Sequence, residues 1–588
     1  MFIYWEKLIH RVKIMQHQRL LLFLSLICGL TGGLAAVLLK NLVHFTHHFL
    51  TTHLRTEDIN LLYIAFPLVG LILTVIFVRN FVKEDISHGI SKILFAISRR
   101  KSKLRRHNTY SSFIGSTFTV GFGGSVGLEA PIVLTGASIG SNLGKAMRLN
   151  YKDTTLLIGC GVAGALAGIF KAPIAAVVFG LEVLMLDLTM GSIIPLLISS
   201  VTGATIAYFL LGKDVMFTFI HEKEFIVSEI GWFILLGVLS GIFSVFFIKG
   251  TKIIEGQINK IKLPYSKAIL GGLLLGLLIF FFPPLYGEGY DALKAILNDR
   301  AVELAHGTIF YNLRGTELMF LSYLLLIIVF KVFATSLTNG SGGVGGIFAP
   351  ALFIGGILGY LSASVFNHSQ LADLSTINFA LVGMSGLMAG VMHAPLTGIF
   401  LIAEITGGYE LFIPLIITST IAFLTSKSFV ANSLYNLKLA ERGELLTHHK
   451  DKAILTLMDI EDVIEKNFTV LDPDDPLGKL VIHIKKSKRN VFPVVDKEGY
   501  LVGILTLNDV RDIIFDSDLY DSVLVKDIMY FPETSVSFDD TLEQIADKIE
   551  ATGRYNVPVL KDGKYLGFIS RAKVFSAYRK MIKDFSEE

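Results

Sequence analysis

Glu129 sits inside Gly124-Ser-Val-Gly-Leu-Glu-Ala-Pro131, and the residues that follow, Ile132 to Gly144, carry no charge. A carboxylate in a membrane-embedded stretch costs at least a few kcal/mol on insertion scales, so it marks a functional site. Gly124 and Gly127 leave the backbone free to turn, and Pro131 suits the first turn of a helix. The stretch reads as a loop that breaks a membrane span and starts a helix near Pro131. The free N–H groups and positive dipole end of that helix would face a passing solute. The structural alternative is a glutamate capping its own helix in a soluble core.

The elements that must hold this carboxylate follow from composition. The chain has 588 residues, 52% hydrophobic and 18% charged, too apolar for a soluble protein of this size. Charge is sparse from Leu20 to about Tyr435 and dense from Glu441 to Glu588, which gives a membrane body and a soluble one. The net charge of +3 gives no reason to expect nucleic acid, and Cys28 and Cys160, both in apolar runs, make no disulfide framework. Lys7, Arg11, Lys13 and Arg19 precede Leu20–Leu39 without a convincing cleavage site, so the N-terminus reads as a cytoplasmic helix leading into the first span. Further apolar segments include Tyr110–Val133, Thr154–Leu186 and Pro395–Phe423, with Gly and Pro in their middles. Irregular backbone at membrane depth is tolerated where it lines a cavity or is buried in protein. Arg99, Arg100, Lys101, Lys103, Arg105 and Arg106 mark a cytoplasmic loop.

An internal repeat organises the membrane body. Ala167-Gly-Ile-Phe-Lys-Ala-Pro173 returns as Ala389-Gly-Val-Met-His-Ala-Pro395, and nine residues after each proline stands a glutamate, Glu182 and Glu404. Val126-Gly127 with Pro131, Gly136 and Gly140 returns as Val344-Gly345 with Pro350, Gly355 and Gly359. The offsets are 222 and 219 residues. A repeated half with broken helices signals a transporter-like fold with its site at the repeat interface. If the repeat is inverted, the helix starts at Glu129 and Phe348 converge near the midplane and offer backbone N–H groups to an anion. Glu129 then competes with that anion, and its protonation or displacement opens the path. Glu182, Glu404, Lys171 and His393, matched between the halves, are expected to be structural. Lys331 either adds positive potential to the pore or pairs with a carboxylate.

Gly127-Leu-Glu-Ala-Pro131, Gly345-Gly-Ile-Phe-Ala-Pro350 and Ser433-Leu-Tyr435 resemble, in order and spacing, the motifs of CLC chloride channels and proton-coupled chloride transporters. The resemblance covers about Leu20 to Leu439. It implies a homodimer with one anion pathway per subunit, Glu129 as the gate, and a central anion held by the Ile347 and Phe348 amides and the Tyr435 hydroxyl. Gly127 belongs to the gate motif. The family's Gly-Ser-Gly-Ile-Pro motif appears here as Ser87-His-Gly-Ile-Ser91, so the resemblance places His88, Gly89 and Ile90 at the anion, with imidazole in place of a hydroxyl. Imidazole still donates a hydrogen bond and, protonated, adds a positive charge. Family transporters usually carry a second, inner glutamate where this chain has Val183. A hydrocarbon relays no proton, so Val183 resembles the channel branch, and coupling would need a water route or another residue.

The soluble tail holds Val491-Phe-Pro-Val-Val495 and Leu501-Val-Gly-Ile-Leu505, then Thr506-Leu-Asn-Asp509 at the start of an expected helix; the pattern recurs at Val557–Leu560 and Tyr565–Ile569. This resembles a pair of cystathionine-β-synthase (CBS) domains, which implies either adenine-nucleotide regulation or dimerisation alone. Thr506 and Asp509 match the ribose-holding Thr/Ser-x-x-Asp motif, whereas Ser570-Arg-Ala-Lys573 ends in a lysine that accepts no hydrogen bond.

The expected protein is therefore an α-helical polytopic membrane protein with an inverted repeat and broken helices, followed by α/β tandem CBS domains. The membrane domain takes residues 1–440, with half repeats at about 20–212 and 226–436. Residues 441–457 form a linker, and the CBS domains take 458–515 and 528–588. The expected function is passive gated chloride conduction in a bacterial inner membrane with both termini cytoplasmic, the partners being a small anion, lipid and a second copy. Proton/chloride antiport is the alternative. An intramembrane enzyme using Glu129 and His88, or a divalent-cation transporter, lacks the necessary ligand or carboxylate cluster. No metal or cofactor is required.

Overall fold

The computed structural model describes residues 16–53, 62–186, 189–212, 225–305, 317–441 and 460–586, with residues 217, 308 and 458 between them. Lys7, Arg11 and Lys13, and all but the first residue of the expected linker at 441–457, lie outside the described residues. The chain divides into two units, Met1–Leu445 and Leu446–Glu588.

The membrane unit is helical. Its first half runs α1 (His17–His53), α2 (Leu62–Phe77), α3 (Gly89–Arg99), α4 (Asn108–Gly121), α5 (Glu129–Met147), α6 (Tyr151–Phe170), α7 (Pro173–Glu182) and α8 (Met190–Leu211). The second half repeats the order as α9 (Ile230–Asn259), α10 (Pro264–Phe281), α11 (Tyr290–Leu297), α12 (Glu317–Gly340), α13 (Phe348–His368), α14 (Thr376–Met392), α15 (Pro395–Thr406) and α16 (Phe412–Phe429), followed by α17 (Leu434–Glu441). Packing repeats too: α6 lies against α1, α5 and α8, as α14 lies against α9, α13 and α16. Among the described residues, nine helical stretches are long and apolar enough to cross a membrane.

Glycine sets the tightest of these contacts. A Cβ on Gly136 would stand 2.1 Å from the Gly161 carbonyl, and one on Gly355 would stand 2.4 Å from that of Gly383. Each half thus brings two helices into backbone contact at matched positions, which accounts for the repeated glycines.

Three expected apolar segments are each two helices. Tyr110–Val133 breaks between Gly121 and Glu129, Thr154–Leu186 at Lys171-Ala172, and Pro395–Phe423 between Thr406 and Phe412. Lys171 (φ 57°) and His393 (φ 55°) end α6 and α14 in the left-handed region, a conformation that costs a non-glycine residue roughly 1–2 kcal/mol. The prolines at positions 173 and 395 then start α7 and α15.

These two short helices cap one another. Glu182 accepts from the Leu396 and Thr397 amides (3.0 and 2.8 Å) and the Thr397 hydroxyl (2.7 Å), at the start of α15. Glu404 accepts from the Ile174 and Ala175 amides (3.0 and 2.8 Å), at the start of α7. Each carboxylate satisfies the N–H groups that the other helix leaves free.

The soluble unit contains β1 (Ile464–Glu465), α18 (Leu477–Lys486), β2 (Val491–Val495), β3 (Leu501–Thr506), α19 (Val525–Ile528), β4 (Val536–Ser537), α20 (Leu542–Thr552), β5 (Asn556–Lys561), β6 (Lys564–Ser570) and α21 (Arg571–Ser586). One sheet has the order β1-β6-β5-β4, and β2 pairs antiparallel with β3. The helix expected after Thr506 is a run of turns over residues 507–515, whereas Ser570 does lead into a helix. At this turn Asp509 accepts from both the Thr506 amide (2.6 Å) and its hydroxyl (2.7 Å).

Candidate anion pathway

The loops entering α5 and α13 meet at Gly127 and Gly346, which exchange two backbone hydrogen bonds of 2.8 Å each. Val344-Gly345 was the expected counterpart of Val126-Gly127; the observed partner of Gly127 is Gly346, at the 219-residue offset of the prolines. The bridge brings the helix starts at Glu129 and Phe348 side by side. Phe348 is fully buried, with its ring 5.1 Å from that of Phe170.

Glu129 is 1% exposed. Tyr290, at the start of α11, donates its hydroxyl to Glu129 Oε1 across 2.5 Å. Among the described residues Oε2 has no partner of normal hydrogen-bond geometry, although the amides of Glu129 and Ala349 act on the carboxylate. A Cβ on Gly127 would fall 1.9 Å from Oε2, so the carboxylate occupies space that only glycine leaves open. The half-buried Glu288 accepts from the Leu128 amide at 3.3 Å and feels the charge of Glu129. Lys331 is fully buried and donates to the carbonyl of Gly287 at 3.0 Å, with its ammonium 4.7 Å from the centre of the Phe353 ring. It supports the loop that presents Glu288, which contributes to the Coulomb field at this lysine.

Beneath the bridge is a cavity of about 250 Å³, lined by His88, Gly89, Ile90, Ile347, Tyr435 and Ala130 among others. The structure thus gathers five of the expected anion-site residues around one space, while Gly127 and Phe348 belong to the bridge beside it. Tyr435 is 7% exposed, and its hydroxyl has no hydrogen-bond partner among the described residues. Helix α3 is fixed here by the Ser91 hydroxyl, which donates to the Tyr435 carbonyl at 2.7 Å.

The Nε2 of His88 is engaged by charged neighbours. It lies 2.6 Å from Lys438 Nζ and 3.4 Å from Glu255 Oε2, and Lys438 donates to Glu255 at 3.0 Å. Neither Glu255 nor Lys438 stood out in the sequence, nor did Tyr290 and Glu288. The available signals were a glutamate late in an apolar run and the Gly-Glu-Gly-Tyr stretch at 287–290.

Two half repeats that aim broken-helix starts at one buried carboxylate, over a cavity with an unpartnered tyrosine hydroxyl, define a multi-pass membrane transporter of anions. Residues 69–427 match the family model described as voltage gated chloride channel, and residues 460–516 and 525–580 each match the CBS domain. The chain belongs to the CLC family and carries two CBS domains. It is 30% identical over 432 residues to the H(+)/Cl(-) exchange transporter ClcA of Vibrio cholerae serotype O1, covering 71% of this chain and 88% of that one. A slow cyanobacterial Cl-/H+ antiporter superposes with a TM-score of 0.63 at 23% identity, over 73% of this chain and 99% of the other. A eukaryotic CLC transporter superposes at 0.59 and 18% identity, over 96% of this chain and 98% of that structure. At these identities the two structures speak for the fold.

Proposed function

We propose that this protein exchanges chloride for protons, with Glu129 as both gate and proton carrier. The observation that carries the reading is the position of the Glu129 carboxylate, at the bridge between the half repeats and bonded to Tyr290. A carboxylate held where an anion must pass takes part in both fluxes. Ionised, it occupies the anion's place on the amides; protonated, it loses the charge that held it there and swings away, and chloride enters. The name of the Vibrio cholerae relative supports exchange. Val183, 5% exposed, favours the passive channel because no proton crosses its hydrocarbon. That argument is weaker than Glu129's placement, since it concerns one position on one route.

In this reading Ile347, Phe348, Gly89 and Ile90 supply backbone N–H groups to the anion and Tyr435 its hydroxyl, with His88 at the inner mouth. The chain works as a homodimer in a bacterial inner membrane, with both termini in the cytoplasm. An adenine nucleotide binds the CBS pair through Thr506 and Asp509.

The test is proton movement driven by a chloride gradient in liposomes containing the full chain. Exchange predicts that chloride running down its gradient drives protons the opposite way. Chloride flux without proton movement would make this protein a channel.

A further inference from the structure

We propose that His88, Glu255 and Lys438 form the inner proton-loading site, on a route that does not use position 183. This rests on the exchange reading, which needs an inner proton site that Val183 cannot supply.

Four observations point to the triad. First, it is a compact ionisable cluster from three elements: the residue before α3, the last turns of α9, and α17. Second, its exposure is graded, with side chains 44% exposed at Lys438, 31% at His88 and 7% at Glu255, so it runs from solvent to interior. Third, all three line the cavity that also reaches Tyr435 and Ala130, the neighbour of Glu129. A space of about 250 Å³ has room for several waters. Fourth, Tyr435, whose buried hydroxyl has no hydrogen-bond partner among the described residues, lines the same space.

The repeat gives this position a counterpart. His88-Gly89 opens α3 as Glu288-Gly289 leads into α11, so each half sets an ionisable side chain before the glycine at this helix start. In the second half that side chain stands beside the gate; in the first it stands at the cavity.

Proton movement needs no other chemistry. A protonated lysine that donates to Nε2 requires a neutral imidazole with its proton on Nδ1. When Lys438 swings out, Nε2 takes a proton from the cytoplasm, passes it to Glu255 and returns to neutral imidazole. Glu255 gives it to cavity water, and water gives it to Glu129; only N–H and O–H bonds form and break. Of the other charges, the Lys252–Glu441 pair on α9 and α17 lines the same cavity, and Asp85, which accepts from the Ser87 amide and hydroxyl (2.9 and 2.7 Å), acts on His88.

The experiment is the reversal potential of Glu255→Gln and His88→Ser in the full chain, in bilayers with opposed chloride and pH gradients. This potential reads protons moved per chloride whatever the absolute rate. Wild type must first sit away from the chloride equilibrium value; if it does not, exchange itself fails. Given a coupled wild type, the ratio is expected to fall at least tenfold in Glu255→Gln, moving the potential to the chloride value. His88→Ser is expected to lower it and to remove its dependence on internal pH. A wild-type ratio in either variant overturns the proposal. If Glu255→Gln fails to fold, His88→Ser decides it.

Discussion

The Tyr290 hydroxyl and the Glu129 carboxylate, 161 residues apart, meet at 2.5 Å. The tyrosine opens α11 in the second half and the glutamate opens α5 in the first, so the bond joins one half repeat to the other, and under the proposed exchange it holds the gate closed.

Loss of that bond loosens the gate. A hydrogen bond to a charged group contributes about 1.5–3 kcal/mol, so Tyr290→Phe is expected to raise chloride efflux from liposomes about tenfold or more. Glu129→Gln removes the charge itself and is expected to raise efflux further and stop proton movement. A Tyr290→Phe variant with wild-type efflux would show that the gate is held by other contacts.

The crossed caps are expected to be structural. Glu182→Gln weakens two charge-assisted bonds to the α15 amides, and Glu404→Gln does the same for α7; each should cost about 1–2 kcal/mol. Thermal unfolding in detergent should show both variants melting lower, with the proton-to-chloride ratio unchanged. A changed ratio in Glu182→Gln would instead place that carboxylate on the proton route.

The soluble unit carries a pH dependence. Burial of Glu465 raises its carboxyl, but the Ser570 hydroxyl (2.5 Å) and Arg489 (2.6 Å) outweigh that and hold it below the usual glutamate range. A group depressed in the folded state adds stability above its unfolded value, and this is lost as pH falls through the folded one. Hydrogen-exchange protection of β1 and β6 in the full chain, relative to the exchange rate of an unfolded chain at the same pH, should therefore fall below about pH 4, and Glu465→Gln should flatten the change. Equal pH profiles would remove Glu465 from the account.

Nucleotide binding should depend on Asp509. Its Oδ2 is taken by Thr506, and Oδ1 remains to accept ribose hydroxyls. Calorimetry with ATP should show binding that Asp509→Ala abolishes; binding that survives would place the ribose elsewhere.

The fold was legible where the sequence repeats itself. The Ala-Pro pairs at 172–173 and 394–395, the loop at Glu129 and the strand pairs of the tail all stand where local pattern puts them, because proline, glycine and alternation act over a few residues. The triad was not legible. His88, Glu255 and Lys438 lie 167 and 183 residues apart, and only the packing of α3, α9 and α17 joins them. Tyr290 was hidden in the same way. Val183 was readable, but it describes one route and so weighed too heavily toward a channel.

The central claim is that chloride and protons share Glu129. The measurement is the wild-type reversal potential in a planar bilayer, first under a chloride gradient alone and then with a pH gradient added. Exchange predicts that the potential shifts with the pH gradient, by an amount fixed by the proton-to-chloride ratio. A potential that stays at the chloride equilibrium value and ignores pH would contradict it.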